Sequence, residues 1–100
     1  MNPSPAKYVL IGIKLEKEGH LGVALEGYLV ALKMLEENNE YKGQFACLQS
    51  IIRLYRMVNA EKETLPYLSK IKKAIKRLEK DPQIIKRKKV NLNLVNYIEN

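Results

Sequence analysis

The stretch YVLIGIKLEKEGHLGVALEGYLVAL, residues 8–32, decides the fold class that we predict for this chain of 100 residues. Its apolar residues recur at steps of three and four, which is the spacing of a one-sided α-helix. Gly19 interrupts the pattern in the middle of the stretch, and the pattern resumes at Leu21. The stretch therefore predicts two helices that are joined by a short turn.

The same spacing continues along the rest of the chain, and capping residues divide it into five segments. Ser4-Pro5 and Asp81-Pro82 each offer an N-cap followed by proline at the first helical position. The second helix ends at Asn38-Asn39, the residue type that, after glycine, best tolerates the left-handed conformation that ends a helix. Asn59 separates the third helix from the fourth. Residues 90–98 also alternate as a strand would, but the chain offers no partner strand, so we favour a helix there. The predicted helices cover about 4–18, 20–37, 40–58, 60–80 and 82–98.

The first helix pair recurs about 40 residues later in the sequence. A shift of 40 places Gly19 on Asn59 and Tyr28 on Leu68. A helix pair that repeats at a fixed period is typical of stacked helical-repeat proteins. We therefore predict an all-α fold of antiparallel helix pairs in one domain. Its parts are a first repeat at about 4–37, a second at about 40–80 and a capping helix at about 82–98.

Small and large residues follow one another in a particular order along the first pair: Tyr8, Ile11, Gly12, Leu15, Gly19, Leu21, Ala24, Tyr28, Ala31 and Leu32. In this order the first pair resembles a tetratricopeptide repeat. The second pair departs more, because Ile52 stands where the family has a small residue and Asn59 replaces the turn glycine. The resemblance covers about residues 8–78. It implies a ribbon of helix pairs whose first helices line a concave, protein-binding face.

Composition excludes several other functions. Hydrophobic residues make up 46% of the chain and charged residues 29%, which is typical of a soluble globular protein. No apolar run approaches the ~20 residues of a membrane span, and no signal-peptide pattern is present, so we expect a cytoplasmic protein. Cys47 and His20 are the single residues of their types and cannot form a cysteine or histidine cluster. We interpret Cys47 as a buried apolar residue and His20 as a surface or capping residue.

Neither a phosphate-binding glycine loop nor a distinctive pair of carboxylates is present in the sequence. We therefore predict no catalytic residue, no metal and no cofactor, and hence a protein that is not an enzyme. The leading functional prediction is a protein–protein interaction module. The resemblance places the groove positions on the first and third helices: Val9, Ile13, Gln49, Arg53 and Arg56. A groove of arginine and apolar residues suits a partner peptide that is acidic and hydrophobic.

Positive charge is concentrated in the second half of the chain. Residues 1–40 have a net charge of −2 and residues 41–100 one of +9, within a total of +7. The excess falls in residues 70–89, where the candidate anion-binding residues are Lys72, Lys73, Lys76, Lys80, Lys86, Arg87, Lys88 and Lys89. A solvated helix face is the simplest interpretation, since the dipole favours cations near a helix C-terminus. The alternative function is binding of nucleic acid or another anionic surface. That binding would be weak and non-specific, because no base-stacking aromatic residues are interleaved.

Two further interpretations of the sequence remain. The alanine and tyrosine spacing of the second helix is also similar to a microtubule-interacting-and-transport module, but a fourth helix and the segment 65–68 weigh against that three-helix fold. The first helix is apolar nearly all round, with only Gly12 and Lys14 interrupting residues 8–15. Such a helix must be covered on more than one side. Residues 82–98 could supply the cover, but we expect a homodimer through the first helix.

Overall fold

The computed structural model describes residues 4–81, and all of its α-helices run antiparallel to their sequence neighbours. They are α1 (Pro5–Lys17), α2 (Leu21–Glu37), α3 (Tyr41–Met57) and α4 (Leu65–Glu79), with a 3₁₀ turn at Glu61–Thr64. No strand occurs between residues 4 and 81, so the predicted all-α class is confirmed. The predicted fifth helix at 82–98 lies outside the described residues.

Three turns of the same construction join these helices. Gly19, Asn39 and Asn59 have φ angles of 87°, 55° and 60°, so each adopts the left-handed conformation, which was predicted at the Asn38-Asn39 pair. The residue after each one donates its N–H to the carbonyl five residues back, at 2.9, 3.0 and 2.8 Å. This hydrogen bond closes a Schellman motif, which reverses the chain within two or three residues. Consecutive helices therefore pack side by side.

The α-helix predicted at about 60–80 is wrong at its beginning. Residues 61–64 form the 3₁₀ turn, and α4 begins only at Leu65. Pro66 explains the difference, because it has no N–H and is tolerated in the first turn of an α-helix but not in its interior. The Thr64 hydroxyl is buried in this turn and donates to the Glu61 carbonyl at 2.6 Å.

The contact between α1 and α2 depends on glycine. A Cβ atom on Gly12 would lie 2.8 Å from Cε1 of Tyr28, whose ring is buried. One on Gly27 would lie 3.3 Å from the Tyr8 carbonyl oxygen. The absence of both side chains lets the two helix backbones approach closely and lets the tyrosine ring fill the space between them.

The core lies between α2, α3 and α4. Its most deeply buried large side chains include Leu48 and Ile51 on α3 and Ile71 and Ile75 on α4. Cys47 is buried among them, as predicted. The two helix pairs are packed differently, because α3 follows α2 and packs against it, whereas no other helix of residues 4–81 precedes α1. Ile11 and Ile51, which are 40 residues apart and occupy corresponding positions on α1 and α3, show the difference in packing, since Ile51 is fully buried while Ile11 is 40% exposed.

Candidate protein-binding surface and basic helix face

An open groove of about 750 Å³ runs along α3. It is lined by Ala46, Gln49, Ser50, Ile52, Arg53, Arg56 and Met57. Three of the five predicted groove residues, all those on α3, therefore lie together, because their spacing of four and three residues puts them on successive turns of one helix face. Val9 and Ile13 do not line this groove. They lie on α1, where Val9 is half-buried and Ile13 is exposed.

A polar cluster joins α1, α2 and α3 beside this groove. Nη2 of Arg53 donates to both carboxylate oxygens of Glu16, at 2.6 and 2.9 Å. The Tyr28 hydroxyl donates to the same carboxylate at 2.9 Å. Burial raises the pKa of the Tyr28 hydroxyl, and its hydrogen bond to the Glu16 carboxylate and that negative charge raise it further. The hydroxyl therefore keeps its proton at neutral pH and remains a donor to Glu16.

The cluster changes the roles that the sequence assigned to the two arginines. Glu16 neutralises the charge of Arg53 and fixes its side chain against α1. Arg56, one turn further along α3, is exposed and makes no hydrogen bond or ion pair with the other residues of 4–81. Of the two arginines that line this groove, Arg56 is therefore the one whose charge is not neutralised by any residue of 4–81.

Exposed apolar side chains lie on both α1 and α3. Leu10 is 66% exposed on α1, and Met57 is 55% exposed at the end of α3. By the 40-residue repeat, Leu10 is the counterpart of Ser50, which lines the groove. We define the α1–α3 surface as Val9, Leu10, Ile13, Gln49, Arg53, Arg56 and Met57. Sequence reasoning missed Leu10 and Met57, although Met57 lies one helical turn from Arg53 and the spacing alone could have indicated it.

The lysines of α4 form a separate basic surface. Lys72, Lys73, Lys76 and Lys80 are exposed, and none forms an ion pair or hydrogen bond within the described residues. We call these four residues the lysine face. Two other cations of α4 are engaged, since Nζ of Lys70 lies 2.9 Å from Glu36 and the Arg77 guanidinium lies 5.7 Å from the centre of the Tyr41 ring. The remaining predicted anion-binding residues, Lys86, Arg87, Lys88 and Lys89, lie outside the described residues.

The single histidine and the single cysteine of the chain, His20 and Cys47, lie at a helix end and in the core. His20 is exposed at the N-cap of α2, with Nε2 4.0 Å from a Glu18 carboxylate oxygen. Burial raises the pKa of the Cys47 thiol to about 11. Among residues 4–81, no three histidine, cysteine, aspartate or glutamate side chains lie close enough to hold a metal ion. None of the helices described is long and apolar enough to cross a membrane.

Over residues 4–81, the structure is an all-α arrangement of antiparallel helix pairs with a mixed arginine–apolar surface and a lysine face. No family model, curated protein or solved structure matches this chain.

Proposed function

We propose that this chain is a non-enzymatic interaction module, similar to tetratricopeptide repeats, that binds an acidic and aliphatic peptide segment on the α1–α3 surface. The observation that carries the proposal is the position of Arg56, a guanidinium that has no partner among residues 4–81 and lies in a groove whose neighbours include the exposed Met57. A volume of about 750 Å³ is in the range of ~300–1,000 Å³ that ligand sites occupy.

The chemistry of the surface selects the kind of peptide. Arg56 can donate two parallel hydrogen bonds to one carboxylate, which fixes its orientation as well as its position. Met57 has a flexible thioether side chain that adapts to different aliphatic groups. Leu10 and Ile13 add apolar area on α1 that a bound aliphatic side chain would remove from water. Because Glu16 already neutralises Arg53, the groove favours one carboxylate at a time.

The proposal is tested with fluorescein-labelled peptides in which glutamate and leucine alternate, and with matched peptides in which lysine replaces glutamate. Fluorescence anisotropy should show binding of the acidic peptide and little binding of the basic one. Arg56→Ala should weaken the acidic peptide by about 10-fold or more, because a hydrogen bond to a charged group contributes about 1.5–3 kcal/mol.

Lys73→Ala is the matched control, since it also removes one exposed cation but lies on the lysine face. It should leave the affinity for the acidic peptide unchanged at physiological salt. Equal losses in Arg56→Ala and Lys73→Ala would show that general charge attraction, and not the groove, holds the peptide. Equal affinity for the acidic and basic peptides would also contradict the proposal.

A second candidate function is weak binding of polyanions by the lysine face. The observation that favours it is that four neighbouring lysines of α4 have no partner among residues 4–81. Lysine acts as a point charge and not as a reader of bases, so DNA and RNA of unrelated sequence should bind alike. For duplex DNA, four engaged lysines predict a slope of about −3.6 for log K against log salt, and eight engaged cations about −7. A sequence-selective complex, or a slope near zero, would contradict this function.

A further inference from the structure

The Glu16 carboxylate lies against one of the two arginines of the groove. Of the seven residues that line the groove, Arg53 and Arg56 are the charged ones. Glu16 is not a lining residue, but its carboxylate accepts two hydrogen bonds from Nη2 of Arg53, at 2.6 and 2.9 Å. The Arg53 side chain is 49% exposed and the Glu16 side chain only 20%. A ligand in the groove can therefore reach Arg53, but it meets a guanidinium whose charge Glu16 already balances.

A second donor holds the Glu16 carboxylate in this position. The Tyr28 hydroxyl donates to Oε1 of Glu16 at 2.9 Å, and Tyr28 is only 1% exposed. The Tyr28 ring is packed directly against Gly12 of α1, which leaves the hydroxyl little freedom to move. Hydrogen bonds between ionised groups, such as those from Arg53, are stronger than neutral ones. Glu16 therefore occupies Arg53 in the way that the carboxylate of a bound ligand would.

No other charged group of residues 4–81 takes part in this pairing. Lys14, Lys17 and Glu18 at the end of α1 are exposed, and none of them is hydrogen-bonded or ion-paired to Arg53 or Glu16. The two groove arginines consequently differ in what they offer to a carboxylate. Arg56 attracts it, whereas at Arg53 the attraction of the guanidinium is opposed by repulsion from the Glu16 carboxylate.

We infer, on the basis of the proposed function of the α1–α3 surface, that Glu16 is a specificity-determining residue. It occupies Arg53, so that a bound peptide gains affinity from one acidic residue, opposite Arg56, and not from a second one beside it. Cβ atoms three residues apart on a helix are about 5–6 Å apart, and alternate residues of an extended peptide are about 7 Å apart. The second carboxylate would therefore come to lie at Arg53, where Glu16 repels it. The partner is a segment in which a single acidic residue is flanked by aliphatic and uncharged ones.

Two fluorescein-labelled peptides test this role of Glu16. In the alternating peptide, glutamate alternates with leucine. In the sparse peptide, glutamine replaces every second glutamate, so that only one glutamate at a time can face the two arginines. Anisotropy at physiological salt should give similar dissociation constants for the two peptides with the unsubstituted protein. Glu16→Gln should tighten the alternating peptide about 10-fold or more relative to the sparse one, because it allows a second hydrogen-bonded charge pair at Arg53.

Glu18→Gln is the matched control, since it removes the same charge from the same end of α1 but does not contact Arg53. It should leave the relative affinity for the two peptides unchanged. Adding Arg53→Ala to Glu16→Gln should remove the gain, because the guanidinium that binds the second glutamate is then absent. Circular dichroism of each variant checks that the helices are retained.

The side-chain Nε–H resonances of the two arginines give a second readout in the isotope-labelled protein. The alternating peptide should shift the resonance of Arg56 alone in the unsubstituted protein and those of both arginines in Glu16→Gln. Equal shifts of both arginines in the unsubstituted protein would overturn the role of Glu16. The same conclusion would follow if Glu16→Gln left the relative affinity unchanged, or if Glu18→Gln raised it as much. In those cases the peptides still bind and the proposed function stands, whereas binding of neither peptide would overturn both.

Discussion

Replacing Gly12 places new atoms in the contact between α1 and α2. The added Cβ would lie 2.8 Å from Cε1 and 3.0 Å from Cδ1 and Cζ of Tyr28, closer than packed carbon atoms approach. The ring has little freedom to retreat, because it is 1% exposed and its hydroxyl is bonded to Glu16. Either the ring or the α1 backbone must therefore move, and the native packing is lost in part.

The magnitude follows from two opposing effects. Overpacking of this kind costs about 1–3 kcal/mol, whereas alanine in place of glycine within a helix gains about 1 kcal/mol. Gly12→Ala should therefore lower the free energy of unfolding by about 0–2 kcal/mol, and the larger Gly12→Leu by about 1–3 kcal/mol. Gly22→Ala is the matched control, because a Cβ at that position meets no atom within 4 Å. It should leave the stability unchanged or raise it by up to about 1 kcal/mol.

Thermal unfolding followed by far-ultraviolet circular dichroism measures these effects. In a domain of this size, 1 kcal/mol corresponds to about 4–8 °C in Tm. The Gly12→Leu variant should therefore unfold about 4–24 °C below the unsubstituted protein. If its Tm equals that of the unsubstituted protein, the close contact between α1 and α2 is not present in solution, and the interpretation of the first helix pair fails.

Three further predictions concern single side chains. In the folded protein, Cys47 should react with iodoacetamide at pH 8 about 100-fold more slowly than a thiol with the usual pKa of 9, because a pKa of about 11 leaves little thiolate. Rapid labelling of the native protein would contradict the burial of Cys47. In urea unfolding, Gly19→Ala should lower the free energy of unfolding by about 1 kcal/mol and Asn39→Gly should raise it by up to about 1 kcal/mol, since both positions have positive φ. The opposite order would argue against the left-handed turns. Tyr28→Phe should lose about 1–2 kcal/mol, because it removes a hydrogen bond to the Glu16 carboxylate, and an unchanged urea midpoint would show that the bond contributes nothing.

The sequence predicts the helices and their turns because these depend on local preferences. Gly19, Asn39 and Asn59 are the residue types that adopt positive φ most readily, and all three do so. The small size of Gly12 likewise predicts its contact with a large side chain, which is Tyr28. The start of α4 was predicted less well, because the predicted helix began directly after Asn59 and included residues 61–64, which Pro66 keeps out of the α-helix.

Only part of the candidate site is accessible to the same reasoning. Helical spacing placed Gln49, Arg53 and Arg56 on one face, and the structure shows them along one groove. The ion pair between Arg53 and Glu16 joins residues 37 positions apart, and its formation depends on how α1 and α3 are rotated about their own axes. Sequence spacing does not define that rotation. It therefore could not show which arginine is neutralised and which has no partner among residues 4–81.

In the proposed function, the α1–α3 surface, and not the lysine face, receives an acidic and aliphatic peptide. Titration of the isotope-labelled chain with the glutamate–leucine peptide, followed by backbone amide chemical shifts, locates the bound peptide directly. Binding on the α1–α3 surface should produce the largest shifts at Leu10, Ile13, Gln49 and Arg56, with little change along α4. Shifts confined to Lys72–Lys80, or no shifts at peptide concentrations that saturate the anisotropy signal, would contradict it.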